Sequence, residues 1–141
     1  MPTAQAKLVL EWTPEYSVHV AQLDHEHQRF FQLSKNLYAA ITTHSSRAVI
    51  GALLGELYAY SVQHMTHEEE ILESFAYPEL ESHRNEHKDF RERVRDFMNE
   101  FDAGRDAIAL SLLQFLQEWL HTHIQDVDQR YAGFLRSKGV Q

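Results

Sequence analysis

Apolar residues recur along this chain at the period of an α-helix, about 3.6 residues, in four long stretches separated by short breaks. In the first, Leu23, Phe30, Leu33, Leu37 and Ile41 form one stripe. They predict a helix that begins near Val18–Ala21 and runs to about Thr42. The break Thr42-Thr43-His44-Ser45-Ser46 offers hydroxyls able to cap the next helix. That second helix is expected over Arg47–Phe75, with a face made of Ile50, Leu53, Leu57, Tyr60, Ser61, His64, Glu68, Ile71 and Phe75. Gly51 and Gly55 weaken it without ending it. Ala76-Tyr77-Pro78 makes the second break, and Pro78 suits the first turn of a third helix carrying Leu80, His83, His87, Phe90, Val94, Phe97, Met98 and Phe101. After Phe101-Asp102-Ala103-Gly104, a fourth helix runs from Asp106 to beyond Tyr131 on Leu113, Leu116, Leu120, Ile124, Val127 and Tyr131. Four helices with short connections predict an all-α, up-down-up-down antiparallel four-helix bundle. The whole chain, 1–141, reads as one domain: a non-helical N-terminal arm over 1–18, the bundle over 19–136 and a polar tail over 137–141. In the arm, Leu8-Val9-Leu10 precedes Trp12 and Pro14, a proline that discourages helix before it. Trp12 is expected to pack as a lid on the bundle.

Polar residues interrupt these stripes at their centres. On the second helix, His64 and Glu68 fall within about 20° of Leu57 at 100° per residue. On the third, His83 and His87 lie within about 20° of Val94. Burying such groups without partners costs several kcal/mol. On the first helix His27 lies about 60° from Phe30, with Glu26 as close to the stripe and His25 roughly 140° away. On the fourth, measured from Leu120, His123 sits at about −60°, Asp128 at about +80°, His121 at about +100° and Asp126 at about −120°. Periodicity ranks His123 first, then Asp128, with His121 only slightly worse. It does not choose between His27 and Glu26.

Antiparallel topology brings these positions to one depth. About 16 to 19 residues separate each of His27, His64, His87 and His123 from the break at one end of its helix, and Glu68 and His83 lie under three turns from the second break. One layer of the bundle thus holds His27, His64, Glu68, His83, His87, His123 and Asp128. Seven donors are too many for a zinc ion, which takes four. They fit two octahedral ions bridged by the two carboxylates. A solvent-derived oxygen bridge then leaves a single open position, a place for a small ligand. Imidazole-rich ligation without thiolate suits iron, copper or zinc, and two bridging carboxylates tilt the choice to iron.

The segments Leu23-Asp24-His25-Glu26-His27, Tyr60-Ser61-Val62-Gln63-His64 with Glu68-Glu69, Tyr77-Pro78 with His83 and His87, and Trp119-Leu120 with His123-Ile124 and Asp128 resemble the hemerythrin family, specifically a single-domain bacteriohemerythrin. They span most of the chain and meet all the family's spacings. The resemblance selects His27 over Glu26, and His123 with Asp128 over His121. It implies two non-haem irons, oxo- or hydroxo-bridged: His83, His87 and His123 on one, His27 and His64 on the other, with Glu68 and Asp128 bridging. The second iron would have the vacant position for dioxygen, with Leu120 lining an apolar pocket and Ile124 and Phe90 as neighbours. Met65 stands where the family usually has Phe after the histidine of the second helix, and bears on the pocket's shape. His19 replaces a residue often small in the family, within reach of the pocket or a tunnel mouth.

The implied function is reversible dioxygen binding for oxygen storage, transport or delivery to an oxygen-consuming enzyme. The chain is then a binding protein and not an enzyme. The alternatives are a di-iron enzyme that reduces peroxide, or a sensing module for oxygen or nitric oxide. Ferritin-like enzymes use carboxylate-rich Glu-x-x-His ligation, and no inward pair of that kind occurs here. Zinc-protease chemistry is disfavoured because His67-Glu68 lacks the second histidine of His-Glu-x-x-His. A net charge of −8 without a basic patch argues against nucleic acid as a partner. The absence of cysteine excludes disulfides, iron–sulfur clusters and cysteine nucleophiles. No apolar run approaches the ~20 residues of a membrane span, and no signal peptide opens the chain, so a cytoplasmic monomer is expected. His25, His44, His67 and His121 are expected at the surface, Glu69 and Glu70 in a solvated acidic patch, and Phe30, Phe90, Phe97, Phe101 and Trp119 in core packing.

Overall fold

The computed structural model describes residues 11–140, so the expectations for Leu8-Val9-Leu10 lie outside the described residues. A single 3-10 turn at Pro14–Tyr16 precedes α1 (Ala21–Thr42), α2 (Arg47–Ser74), α3 (Leu80–Asp102) and α4 (Ile108–Thr122). The fourth rod continues as a π-helical segment, His123–Asp128, and then as α5 (Gln129–Ser137). No strand occurs among the described residues. Consecutive helices pack side by side, and α1 closes the ring against α4, giving the expected four-helix bundle. No described helix is long and apolar enough to cross a membrane.

The breaks arise from local chemistry. The Ser46 hydroxyl accepts a hydrogen bond from the Val49 amide at 3.2 Å and caps α2 as expected. All four rods end alike: the amide three residues past the last helical residue reaches back five residues, Ser45 to Ala40, Tyr77 to Leu72, Arg105 to Glu100 and Val140 to Leu135. This Schellman closure requires a left-handed residue just before that amide. Gly104 (φ 100°) and Gly139 (φ 81°) adopt it freely, whereas His44 (φ 56°) and Ala76 (φ 55°) do so against their side chains.

The apolar core consists of two clusters. The larger is built from residues such as Phe30, Phe31, Leu54, Met65, Phe90, Val94, Leu116 and Leu120. The smaller gathers Val18, Leu23, Leu72, Tyr77, Tyr131 and Leu135 at the other end of the bundle. Trp12 packs against the larger cluster, and Val140 of the tail folds onto the smaller one. Between the clusters each rod presents its polar residues. On α2 the buried face is rotated from the expected one. Leu54, Met65 and Leu72 are fully enclosed, while Ile50, Leu53 and Ile71 are half-buried and Phe75 is 36% exposed. The large residues flanking His64 and Glu68 are therefore Met65 and Leu72, and a stripe measured from Leu57 is centred too far toward the helix edge.

Candidate metal centre

The polar seam contains His27 from α1, His64 and Glu68 from α2, His83 and His87 from α3, and His123 and Asp128 from the π segment, all buried. On α2 and α3 the i, i+4 spacing alone places both side chains of a pair on one face. His123 and Asp128 are five residues apart, about 140° on an α-helix. Bonding from residue i to i+5 in the π segment turns that separation back onto one face, which is how both reach the seam.

Each carboxylate straddles two groups of imidazoles. Glu68 Oε1 lies 2.6 Å from His83 Nε2 and 3.1 Å from His87 Nε2. Its Oε2 lies 3.3 Å from His27 Nε2 and 3.5 Å from His64 Nε2. Asp128 Oδ1 is 3.0 Å from His123 Nε2 and 3.4 Å from His83 Nε2, while Oδ2 is 3.3 Å from His27 Nε2. All five rings aim Nε2 inward. Ligands at about 2.1 Å from an octahedral ion sit about 3 Å apart, the spacing seen here. Two overlapping donor sets able to hold a metal ion result: Glu68, His83, His87 and His123, and His27, His64 and Glu68. Neither oxygen of Asp128 has a hydrogen bond of good geometry, although both are buried. A cation between the imidazoles would compensate that burial, so the donor set fits a bound metal.

The outer nitrogens are held as well. Glu26 accepts from His64 Nδ1 at 2.6 Å and pairs with His67 Nδ1 at 2.7 Å, and Glu69 holds His87 Nδ1 at 2.7 Å. Glu86 approaches His123 Nδ1 at 3.4 Å. Such carboxylate partners fix ring orientation and raise ligand basicity. The structure thus places His27 in the seam and Glu26 behind it. Glu69, expected to be solvated, is a half-buried partner of His87, and His67, expected at the surface, is half-buried against Glu26. His121 is exposed and pairs with the Tyr16 hydroxyl at 2.8 Å, and His25 and His44 are exposed as expected. The Tyr131 hydroxyl donates to Glu68 Oε2 at 2.7 Å, a contact invisible to periodicity, which places Tyr131 only in the core stripe.

The electrostatics of the seam without metal are strongly coupled. Burial alone would raise Glu68, but hydrogen bonds from His27, His64, His83 and His87 hold it well below the usual carboxylate range. Burial lowers His64, yet Glu26 and Glu68 together push it up to about 9. Burial likewise opposes the charge on His123, and Asp128 with Glu86 raises it to about 10. Burial and the neighbouring Glu68 and Asp128 push the Tyr131 hydroxyl well above its ordinary value, so it remains a proton donor.

A small enclosed cavity adjoins the seam, lined by His27, Phe30, His64, His87, Trp119, Leu120, His123, Ile124 and Asp128. It admits the centre of a water-sized molecule over about 10 Å³, room for about one. Leu120 and Ile124 stand in its wall. Phe90 and Met65, also expected to shape the pocket, are fully buried but do not line this cavity. Phe90 packs on Trp119 with ring centroids 4.2 Å apart, and the Met65 sulfur accepts from Arg91 Nη1 at 3.6 Å. Phe30 and Trp119 complete the wall; both adjoin site residues in sequence, Phe30 three positions after His27 and Trp119 one before Leu120. His19 lies elsewhere, at a surface hollow with Arg136, Gly139 and Val140.

The geometry defines a class: a four-helix bundle whose core carries a buried cluster of five histidines and two carboxylates able to hold metal, beside a small cavity. Residues 18–135 match the family model of the hemerythrin HHE cation binding domain, and the chain belongs to the hemerythrin family. It is 32% identical over 124 residues to a bacteriohemerythrin of Stenotrophomonas maltophilia, an alignment covering 88% of this chain and 80% of that protein. A myohemerythrin of Theromyzon tessulatum is 28% identical over 125 residues, covering 89% of this chain and 92% of that one. The crystal structure of a single-residue hemerythrin variant superposes with a TM-score of 0.83 at 27% identity, covering 89% of this chain and 95% of the other.

Proposed function

We propose that this chain binds dioxygen reversibly at a non-haem di-iron centre and serves oxygen storage, transport or delivery, with an oxygen-consuming enzyme of the cytoplasm as recipient. His83, His87 and His123 would hold one ion and His27 and His64 the other, with Glu68 and Asp128 shared between them. The observation that carries this reading is the straddling of both carboxylates between a three-histidine and a two-histidine group. The two-histidine group has fewer donors, and both its rings line the cavity, as do His87 and His123 of the other group. Two ferrous ions held there would supply two electrons to dioxygen on binding and take them back on its release. Phe30, Trp119, Leu120 and Ile124 keep water from that position. Glu26 and Glu69 hold the His64 and His87 rings in place. Tyr131 keeps its proton directed at Glu68, so its hydroxyl stabilises the carboxylate and does not titrate near neutrality.

Binding is favoured over peroxide turnover because the cavity wall contains no acid or base apart from the proposed ligands. Cleaving an O–O bond calls for such a proton donor. The test is a cycle: reduce the iron-loaded protein anaerobically, admit air, then remove oxygen, following the visible spectrum. A charge-transfer band that appears and reverses is expected. Irreversible oxidation, or steady peroxide consumption with a reductant, would establish the enzyme reading instead. About one zinc and no iron per chain would defeat both.

A further inference from the structure

Two residues of the cavity wall also line hollows on the outer surface. His64 borders a hollow of about 520 Å³ together with Gln22, Glu26, Gln63, His67 and Glu70. Trp119 borders a groove of about 470 Å³ along α3 and α4, with Phe97 and Phe115 as its floor and Arg93, Glu118 and Thr122 on its rim. The two walls differ in how they are held. His64 is clamped from both sides, by Glu26 at 2.6 Å and toward Glu68 at 3.5 Å. The Trp119 indole has no hydrogen bond among the described residues. Ring contacts and apolar packing hold it, on His123 with centroids 4.1 Å apart and planes 12° apart, and on Phe90, tilted, at 4.2 Å. Stacking is weaker and less directional than a charge-assisted hydrogen bond.

We infer that Trp119 is the movable wall between this groove and the cavity, and that a small neutral ligand enters and leaves past its indole. The inference rests on the reading of the cavity as the dioxygen position. Displacement of the ring on the microsecond-to-millisecond scale would open the way at the cost of its stack on His123, without breaking a hydrogen bond of any of the seven proposed ligands. A route is a kinetic feature: obstructing or widening it changes entry and exit by one common factor and leaves affinity alone. A residue that merely shapes the bound state changes affinity.

The test uses the iron-loaded chain and two variants. Thr122→Phe adds a ring on the exposed rim, outside the cavity wall. Trp119→Phe shrinks the wall while keeping a stacking ring. Dioxygen association and dissociation, followed by stopped flow, are expected to slow together at least fivefold in Thr122→Phe. In Trp119→Phe both are expected to quicken at least fivefold. The dissociation constant should stay within twofold in Thr122→Phe. Rates within twofold of the parent in both variants, or an affinity change without a common factor in Thr122→Phe, would overturn the route.

A second readout needs no iron. In the zinc-loaded chain carrying 5-fluorotryptophan, the Trp119 resonance, assigned with Trp12→Phe, is expected to show exchange broadening that Thr122→Phe suppresses. A sharp resonance indifferent to Thr122→Phe would overturn the movable wall even if dioxygen binds. Failure of the parent to bind dioxygen would count against the proposed function, and the fluorine readout would still decide on the wall.

Discussion

Glu68 touches four imidazoles and a phenol from complete burial, so no single side chain of the seam has more partners to lose. Glu68→Ala is expected to lose metal altogether. It should also lower stability by about 3–5 kcal/mol, because buried imidazolium groups and Asp128 would remain without their partner. Metal content and urea titration check both outcomes. Glu26→Gln probes the layer behind the ligands. It keeps the fold but removes the charge that orients His64, so iron affinity should fall about 10–100-fold, read by competition with a chelator. Glu26 and His27 show where a residue-level reading stops. Both flank the stripe of α1 at nearly the same angle, and only the position of α2 decides that His27 enters the seam while Glu26 grips His64 and His67 from outside.

Two features of whole elements are only partly legible in the sequence. Periodicity makes the fourth rod one α-helix, on which Asp128 scarcely outranks His121. The π segment changes that ranking by turning His123 and Asp128 onto one face. Deleting Gln125 would leave the pair four residues apart and is expected to restore α-helix there with iron binding retained. Inserting an alanine after Gln125 is expected to abolish iron binding, since no regular helix then aligns the pair. Iron per chain distinguishes these outcomes. The Schellman ends are the second feature. The breaks at 42–46, 76–78 and 101–104 are visible from their residues, but the left-handed backbone at Ala76 is not. Ala76→Gly relieves an unfavourable conformation worth about 1–2 kcal/mol, less the added flexibility of the unfolded chain. A net gain of about 0.5–1 kcal/mol is expected from thermal or denaturant unfolding.

At the scale of the molecule, a charged seam divides the apolar core in two, and without metal its stability depends on pH. His64 and His123 are raised to about 9 and about 10, above the ordinary value of 6.5. Their contribution is therefore complete below pH 6.5 and is lost as pH rises through 9 to 10. Glu68 is depressed, so its contribution is present above its unfolded value and is lost as pH falls toward its folded one. The metal-free chain should be most stable in mildly acidic solution, with a melting temperature at least about 5 °C lower at pH 10 than at pH 6. Metal ligation requires neutral imidazoles. Loading at pH 7 should therefore release about two protons per chain from His64 and His123, measurable with an indicator dye in weak buffer. The loaded protein should lose less stability on the alkaline side.

The order and length of the helices, their breaks and the inward i, i+4 pairs of α2 and α3 were determined by sequence alone. Each depends on a period or a cap that spans only a few residues. The rotation of each rod about its own axis depends on contacts between distant segments, and only the tertiary structure decided it. That rotation turned Met65 and Leu72 inward on α2, put His27 in the seam as the family resemblance implied and periodicity could not, and assigned Glu69 to His87. It also made Phe30 and Trp119, with Leu120 and Ile124, the apolar wall of the cavity, with Phe90 and Met65 outside its lining. Those choices belong to packing, because a helix stripe defines a side of the rod and its neighbours define which atoms on that side meet.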